Sequence, residues 1–303
     1  MDGILVIDKP EGLTSHDVVS RVRRILRTRR VGHTGTLDPF ATGVLVVLVG
    51  KATRLAQFID KDIKEYEATV QFGWETDTGD ITGTPSNAER GMRNAEFVEQ
   101  ALAATDWNAV LSKFRGDILQ TPPMYSAKKI EGKKLYELAR EGVTIERKPV
   151  RVTIHELDLS PEEFRIPRSA FRIRVSCSAG TYIRTLAEDI GREIDVGAHL
   201  TELRRTHAGR FSIDDAITLD RLSELDDPST ELRPLAEAVE HLTPIALAPD
   251  RVAKAKEGLS TRIAEDGLAD RSFVRILNET SELIAIGIYN SEEKSVKPKI
   301  VLV

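Results

Sequence analysis

Apolar residues recur along this chain in three rhythms, and each predicts a different element. Residues 44–49, Val44-Leu45-Val46-Val47-Leu48-Val49, are apolar at six consecutive positions between Gly43 and Gly50, which fits an interior strand better than a helix. Gly3 to Asp8 is a shorter apolar strand, turned by Lys9-Pro10-Glu11-Gly12. A period of two puts Tyr66, Ala68, Val70 and Phe72 on one face of a strand, and the same alternation marks Val150-Val152-Ile154 and Phe171-Ile173-Val175-Cys177. Helical spacing joins Val18, Val19, Val22, Ile25 and Leu26, with Ser15 as the expected cap and arginines on the opposite face. Two amphipathic helices are expected over 94–104 and 107–114. A further helix carries Ile183, Leu186, Ala187, Ile190 and Ile194, with Thr181 as its cap and Arg184 in its first turn. After prolines 228, 234, 244 and 249, the stretches 272–278, 283–289 and 299–303 read as short strands of a small β-rich module. The pattern predicts an α+β protein, with domains over 1–243 and 244–303.

Composition narrows the class. With 303 residues, 41% of them hydrophobic and 30% charged, the chain is long enough for a large core and reads as an ordinary globular protein. Its longest apolar run is the six residues 44–49, and its amino terminus lacks a signal-like apolar region, so no membrane anchor and a cytoplasmic location are expected. A single cysteine, Cys177, excludes an intramolecular disulfide and any Cys-rich zinc site, and it alternates with core positions. Six scattered histidines without a His-x-x-x-His pair offer no standard metal spacing, so no metal is expected. The net charge of -5 runs against a nucleic-acid partner, but its distribution does not: residues 1–54 hold nine Lys and Arg against five Asp and Glu. Arg21, Arg23, Arg24, Arg27, Arg29 and Arg30 cluster just before Gly32. This suits either a docking patch or a solvated helix face.

The candidate chemistry lies in Gly32-His33-Thr34-Gly35-Thr36-Leu37-Asp38-Pro39-Phe40-Ala41-Thr42-Gly43, read as a loop feeding the 44–49 strand. Pro39 biases Asp38 toward an extended backbone, so a carboxylate stands on a stiff loop next to the core. Two glycine motifs can be excluded. Gly50-Lys51 is followed by Ala52 and position 45 is Leu, so this is not a Walker A loop; the glycines precede the strand, so it is not a dinucleotide fingerprint. Arg184, at a helix start where a cation is unfavourable, calls for a carboxylate partner.

Gly-His-Thr-Gly-Thr-Leu-Asp-Pro-x-Ala-Thr-Gly-x-Leu resembles the catalytic aspartate motif of the TruB family, the bacterial tRNA pseudouridine-55 synthases. Lys9 to Ser15 resembles the family's first motif, Lys64-Glu65-Tyr66 its tyrosine context, Gly180-Thr181-Tyr182-Ile183-Arg184 a further motif, and 197–205 continues the match. The resemblance implies the pseudouridine synthase fold, a mixed, mostly antiparallel sheet flanked by helices, and a C-terminal PUA-like RNA-binding domain. In it Asp38 is the catalytic carboxylate, Arg184 its partner and Tyr66 the residue that stacks on the target base. Leu203 lines the pocket, Lys9 supports the site from behind or joins the substrate contacts, and His33, Lys128 and Lys129 take part in holding substrate or RNA. Read without the resemblance, Tyr66 is core, Leu203 is interior to a helix, and Lys9 is a surface lysine. The segment 121–152 resembles an RNA-contacting arm, with lysines at 128, 129, 133 and 134, and Asp77 to Gly83 a loop near the site.

The implied reaction needs no cofactor. An ionised Asp38, held so by Arg184, helps to break the glycosidic bond of the T-loop uridine. The uracil then rotates and rejoins the ribose through C5. The implied partner is the tRNA T-arm, bound by a monomer without guide RNA. Two other readings compete: an RNA-binding or tRNA-folding protein of the same fold, and an RNA-guided relative. Retention of Asp38, Tyr66 and Arg184 together disfavours the first. A start almost directly on the first motif, together with the bacterial-type 121–152 segment, disfavours the second.

Overall fold

The computed structural model describes residues 1–302 except 60–62, 86–93, 127–128, 131, 161–168 and 264–266. Its strands are β1 Gly3–Lys9, β2 Val31–Thr34, β3 Thr42–Val49, β4 Lys64–Phe72 and β5 Gly116–Gln120, then a short arm hairpin of β6 Lys129–Ile130 and β7 Lys133–Lys134. There follow β8 Val150–Leu159, β9 Ala170–Cys177, β10 Ala198–Ala208, β11 Phe211–Ser212 and β12 Ile217–Thr218. The last five are β13 Thr243–Ala246, β14 Thr261–Arg262, β15 Phe273–Leu277, β16 Leu283–Asn290 and β17 Ser295–Val301.

Among the described residues the main sheet runs β12-β1-β3-β10-β4-β9-β8-β5, with β2 on β3 and β11 on β10. Within this sheet only β1–β12 and β3–β10 pair in parallel. A second, five-stranded sheet runs β13-β15-β16-β17-β14. The expected α+β architecture, with a mixed and mostly antiparallel sheet and a small C-terminal β module, is the one observed.

The continuous apolar run of β3 has a direct cause. Leu45, Val47 and Val49 face one core, shared with Leu5, Ile7, Val18, Val22 and the Ile183–Glu193 helix. Val44, Val46 and Leu48 face the other way, where Ile4, Val6, Phe211 and the C-terminal residues Leu283, Ile286, Ile300 and Leu302 cover them. Alternate side chains point to opposite faces, so a strand buried on both faces must be apolar at every position. The C-terminal module also has its own core around Ile245, Val274, Ile276, Ala285 and Val296.

Several local expectations are corrected. The first helix spans Ser15–Ile25, but Thr14 caps it in a reciprocal capping box with Asp17; Ser15 turns inward instead. Thr181 does not cap the Ile183–Glu193 helix, whose N-cap position is Tyr182, and the Thr181 hydroxyl donates to Ser178 O. Residues 198–208 form β10, not a helix; a β-bulge between Leu200 and Glu202 shifts the alternation that would have revealed a strand. The stretch 32–34, expected as loop, belongs to β2, and the last strand begins at Ser295 rather than 299. Of the clustered arginines, Arg21, Arg23 and Arg24 lie on the Ser15–Ile25 helix, and Arg27, Arg29 and Arg30 lie between that helix and β2.

Candidate active site

Asp38 lies in the turn from β2 to β3, and the residues on either side of it are pinned to the β1 turn. The Ser15 hydroxyl accepts from Leu37 N–H at 2.9 Å and donates to Leu37 O at 3.1 Å. Pro39 O accepts from the Gly12 amide at 2.8 Å and from the Lys9 ammonium at 3.1 Å. Lys9 Nζ also donates to Leu13 O at 2.6 Å and Pro10 O at 2.9 Å. Lys9 is thus neither a surface lysine nor free to contact RNA: it is fully buried, its ammonium spent on three carbonyls behind the loop, as support of the site from behind requires. Burial lowers that ammonium to about 8, against the pull of Asp38.

Arg184 closes the site from the first turn of its helix. Its Nε lies 2.9 Å from Asp38 Oδ2 and its Nη2 3.1 Å from Oδ1, a two-pronged carboxylate pair. Nη1 donates to Thr78 O at 2.6 Å and approaches Asp80 Oδ2 at 3.7 Å, and Nη2 also donates to Tyr125 O at 2.6 Å. One guanidinium therefore joins the Asp38 loop, the Thr76–Gly83 turn and the root of the 121–152 arm. Asp38 sits deep in the cleft but keeps a third of its side-chain surface open to it. Burial raises its carboxyl above the ordinary range, Arg184 pulls it back down, and Asp80 pushes it up again. The expected full hold of Arg184 on the ionised form is therefore opposed by desolvation.

Behind the carboxylate, β4 and β10 supply the remaining walls. Their register places Arg205 opposite Tyr66 and Leu203 opposite Ala68, while β3 brings Gly43 opposite Arg205. Arg205, almost fully buried, donates to Val44 O at 2.7 Å and Gly35 O at 2.8 Å. Gly43 has φ +98°, and a Cβ there would stand 2.2 Å from Arg205 O, so only glycine permits this approach of β3 to β10. Burial raises the Tyr66 phenol, with Arg205 opposing, so the ring is presented neutral.

Two adjoining hollows meet at Asp38. One, of about 450 Å³, is lined by Asp38, Lys64, Tyr66, Tyr182, Arg184, Leu203 and Arg205 among others. The other, of about 660 Å³, is lined by His16, His33, Asp38, Asp80, Tyr125 and Arg184 among others. Both volumes fit a small-ligand site, and the shared carboxylate stands where a base in one could remain joined to a backbone in the other. Among the expected residues, Asp38, Arg184, Tyr66 and Leu203 come together, and His33 lies in the neighbouring hollow. Lys128 lies outside the described residues; of Lys129 the described part is its backbone in β6. No group of His, Cys, Asp or Glu suited to a metal occurs among the described residues.

Sequence reasoning missed four residues. Asp80 lay in a turn noticed for its polarity but given no role; its carboxylate is buried and also accepts from Thr78, Thr82 N–H and the Thr82 hydroxyl. Arg205 and Gln120 gave no periodic signal, because a polar residue buried by its partners looks in sequence like a surface one. Ser15 was assigned to the wrong hydrogen bond.

A lone carboxylate gripped by an arginine fork, at the mouth of a base-sized hollow on a mixed sheet with a small β module, defines a pseudouridine synthase-like fold and site. Solved structures agree on the fold. A Cbf5-Nop10-Gar1 complex matches at TM-score 0.72 and 28% identity, covering 99% of this chain and 85% of that one. An H/ACA RNP bound to a substrate RNA containing 2'-deoxyuridine matches at 0.71 and 26%, with the same coverage. The TruB family pseudouridylate synthase N-terminal domain matches residues 23–183, and the tRNA pseudouridylate synthase B C-terminal domain matches 184–243. The chain belongs to the TruB family. Relatives named tRNA pseudouridine synthase B include that of Solibacter usitatus, 50% identical over 74% of this chain and 73% of its own length. That of Heliobacterium modesticaldum is 39% identical over 95% and 90%.

Proposed function

We propose that this protein isomerises the T-loop uridine of tRNA, position 55, to pseudouridine, with Asp38 as the reacting carboxylate. The observation that carries the proposal is the Asp38–Arg184 fork at the junction of the two hollows. The relatives are named tRNA pseudouridine synthase B, which supports the reaction class and the tRNA substrate. The glycosidic bond from the ribose C1' to uracil N1 breaks with help from the carboxylate. The base rotates, C1' bonds to C5, and the proton leaving C5 balances the one gained at N1. Atoms are conserved, so no cofactor or metal enters the scheme. An enclosed hollow keeps water from intercepting the detached base.

In this reading Tyr66 and Leu203 form the walls against which the flipped base packs. A stacked base recovers roughly 1–3 kcal/mol, which offsets part of the few kcal/mol spent in extruding it. His33 in the outer hollow contacts the displaced loop, the 121–152 arm with Lys128 and Lys129 clamps the T-arm, and residues 244–303 add an RNA contact to the chemistry carried by 1–243. The protein acts in the cytoplasm as a monomer, reading tRNA directly, without a guide RNA.

The test is tritium release from C5 of uridine in an unmodified tRNA transcript, with chelator present and nothing else added. Release by the parent protein and none by Asp38→Asn supports the assignment. No release with tight tRNA binding intact would turn it into that of an RNA-binding protein.

A further inference from the structure

Gln120, the last residue of β5, carries a polar side chain that is 1% exposed and faces the start of the Arg184 helix. Its Oε1 accepts from the Tyr182 N–H at 2.7 Å and its Nε2 donates to Tyr182 O at 3.0 Å. Both functions of the amide are thus spent on the backbone of one residue. Tyr182 stands at the helix N-cap with no side-chain cap of its own, so Gln120 does from another strand what a local cap does elsewhere. Two residues further into the helix, Arg184 Nη2 donates to Tyr125 O, five residues beyond Gln120. The strand end and the helix start are thus joined at two rungs, Gln120 with Tyr182 and Tyr125 with Arg184. Arg147 braces the far side of this root by donating to Pro122 O at 3.1 Å.

We propose that Gln120 is a positioning residue: it fastens the root of the 121–152 arm to the Arg184 helix and so sets the guanidinium against Asp38. The consequence for catalysis rests on the function proposed above, but the geometric claim does not. If Gln120 is lost, Tyr182 and the Tyr125 carbonyl are no longer held in register. The arginine then loses the fixed acceptor that turns its Nε and Nη2 toward the carboxylate. A misplacement of this kind, on the order of 1 Å, costs about 100-fold in rate when the chemistry depends on it.

Gln120→Ala and Gln120→Glu test the proposal beside the parent protein. Gln120→Glu keeps the acceptor for Tyr182 N–H but loses the donor and sets a carboxylate oxygen against Tyr182 O. Single-turnover pseudouridine formation should fall about 10- to 100-fold in Gln120→Ala, while tRNA affinity by filter binding stays within about threefold; Gln120→Glu, which keeps one of the two hydrogen bonds, should recover only part of the rate. The acid limb of the Gln120→Ala profile should move to higher pH, because Arg184 then opposes less of the desolvation at Asp38, while Lys9 and Asp80 are unchanged around it. Independently of turnover, the Arg184 Nε–H resonance, assigned with Arg184→Lys, should exchange with solvent faster in Gln120→Ala. Unchanged exchange would overturn the proposal. So would a loss of rate, affinity and melting temperature together with an unmoved acid limb, which would make Gln120 a stem contact only. A parent protein without turnover would count against the proposed function alone, since the exchange experiment still reads the geometry.

Discussion

The Arg184 guanidinium meets both oxygens of Asp38, at 2.9 and 3.1 Å, although 146 residues separate the two in the chain. The other guanidinium hydrogens go to Thr78 O and Tyr125 O, with Asp80 close by. The pair therefore holds the carboxylate in one orientation while leaving its open third facing the cleft.

Asp38→Asn removes the charge and keeps the shape. Turnover should vanish while tRNA affinity changes by no more than a few fold, as read by tritium release and filter binding on the same preparations. Residual turnover near the parent rate would remove Asp38 from the reaction.

Arg184→Lys should lose most activity, about 100-fold or more, because an ammonium is a point donor and cannot span a carboxylate and two carbonyls in different loops. Single-turnover rates decide this. A rate within threefold of the parent would show that charge alone suffices.

The pH dependence of the reaction follows from the direction of the Asp38 shift. Burial raises the carboxyl, so the ionised form is lost at higher pH than for an ordinary aspartate near 3.9. Single-turnover activity should fall as pH decreases, with its acid limb displaced upward from that value. A limb at the ordinary position would mean that Arg184 cancels the desolvation.

Glu188 predicts a separate dependence of stability. Burial raises its carboxyl from 4.5 to about 7. Between those values the folded chain binds more protons than the unfolded one, so the stability Glu188 contributes is present at low pH and lost as pH rises through 7. Glu188→Gln should therefore leave the melting temperature unchanged near pH 4.5 and raise it at pH 8, by about 2–5 °C. An equal effect at both pH values would contradict the raised carboxyl.

Gly43→Ala should cost more than about 3 kcal/mol, because it combines a positive φ with a Cβ driven into the Arg205 carbonyl. A urea melt with a midpoint close to the parent's would mean that β3 and β10 can part without loss.

The C-terminal module calls for a different kind of variant than the sequence suggests. Deleting the segment after 248 reads, on sequence, as a way to weaken tRNA binding and spare the chemistry. In the structure Leu283, Ile286, Ile300 and Leu302 cover Ile4, Val6, Val44, Val46 and Leu48, so the deletion would strip one face of the central strands. It should lower the melting temperature of the whole chain. Charge reversal at the exposed Lys297 tests RNA contact without uncovering that face; loss of affinity at an unchanged melting temperature is the expected result.

By itself the sequence determined the central strand, the two cores' worth of alternating positions, the helix that carries Arg184, and the Asp38 loop. These are written in local periodicity and in a dozen ordered residues that resemble one family. A cation at a helix start asked for a carboxylate from elsewhere, and the resemblance named Asp38 as that carboxylate; the fold supplied the contact. Only the tertiary structure decided that Ser15, Lys9 and Gly12 pin the loop, that Asp80, Arg205 and Gln120 belong to the site, and that the C-terminal module seals the sheet. Each of these is a polar or apolar contact between distant segments. A buried lysine whose hydrogens go to three carbonyls is spelled like a solvated one, and a bulge that shifts β10 by one residue erases the alternation that would have announced a strand. Periodicity records which face a residue shows; only the fold supplies what it meets there.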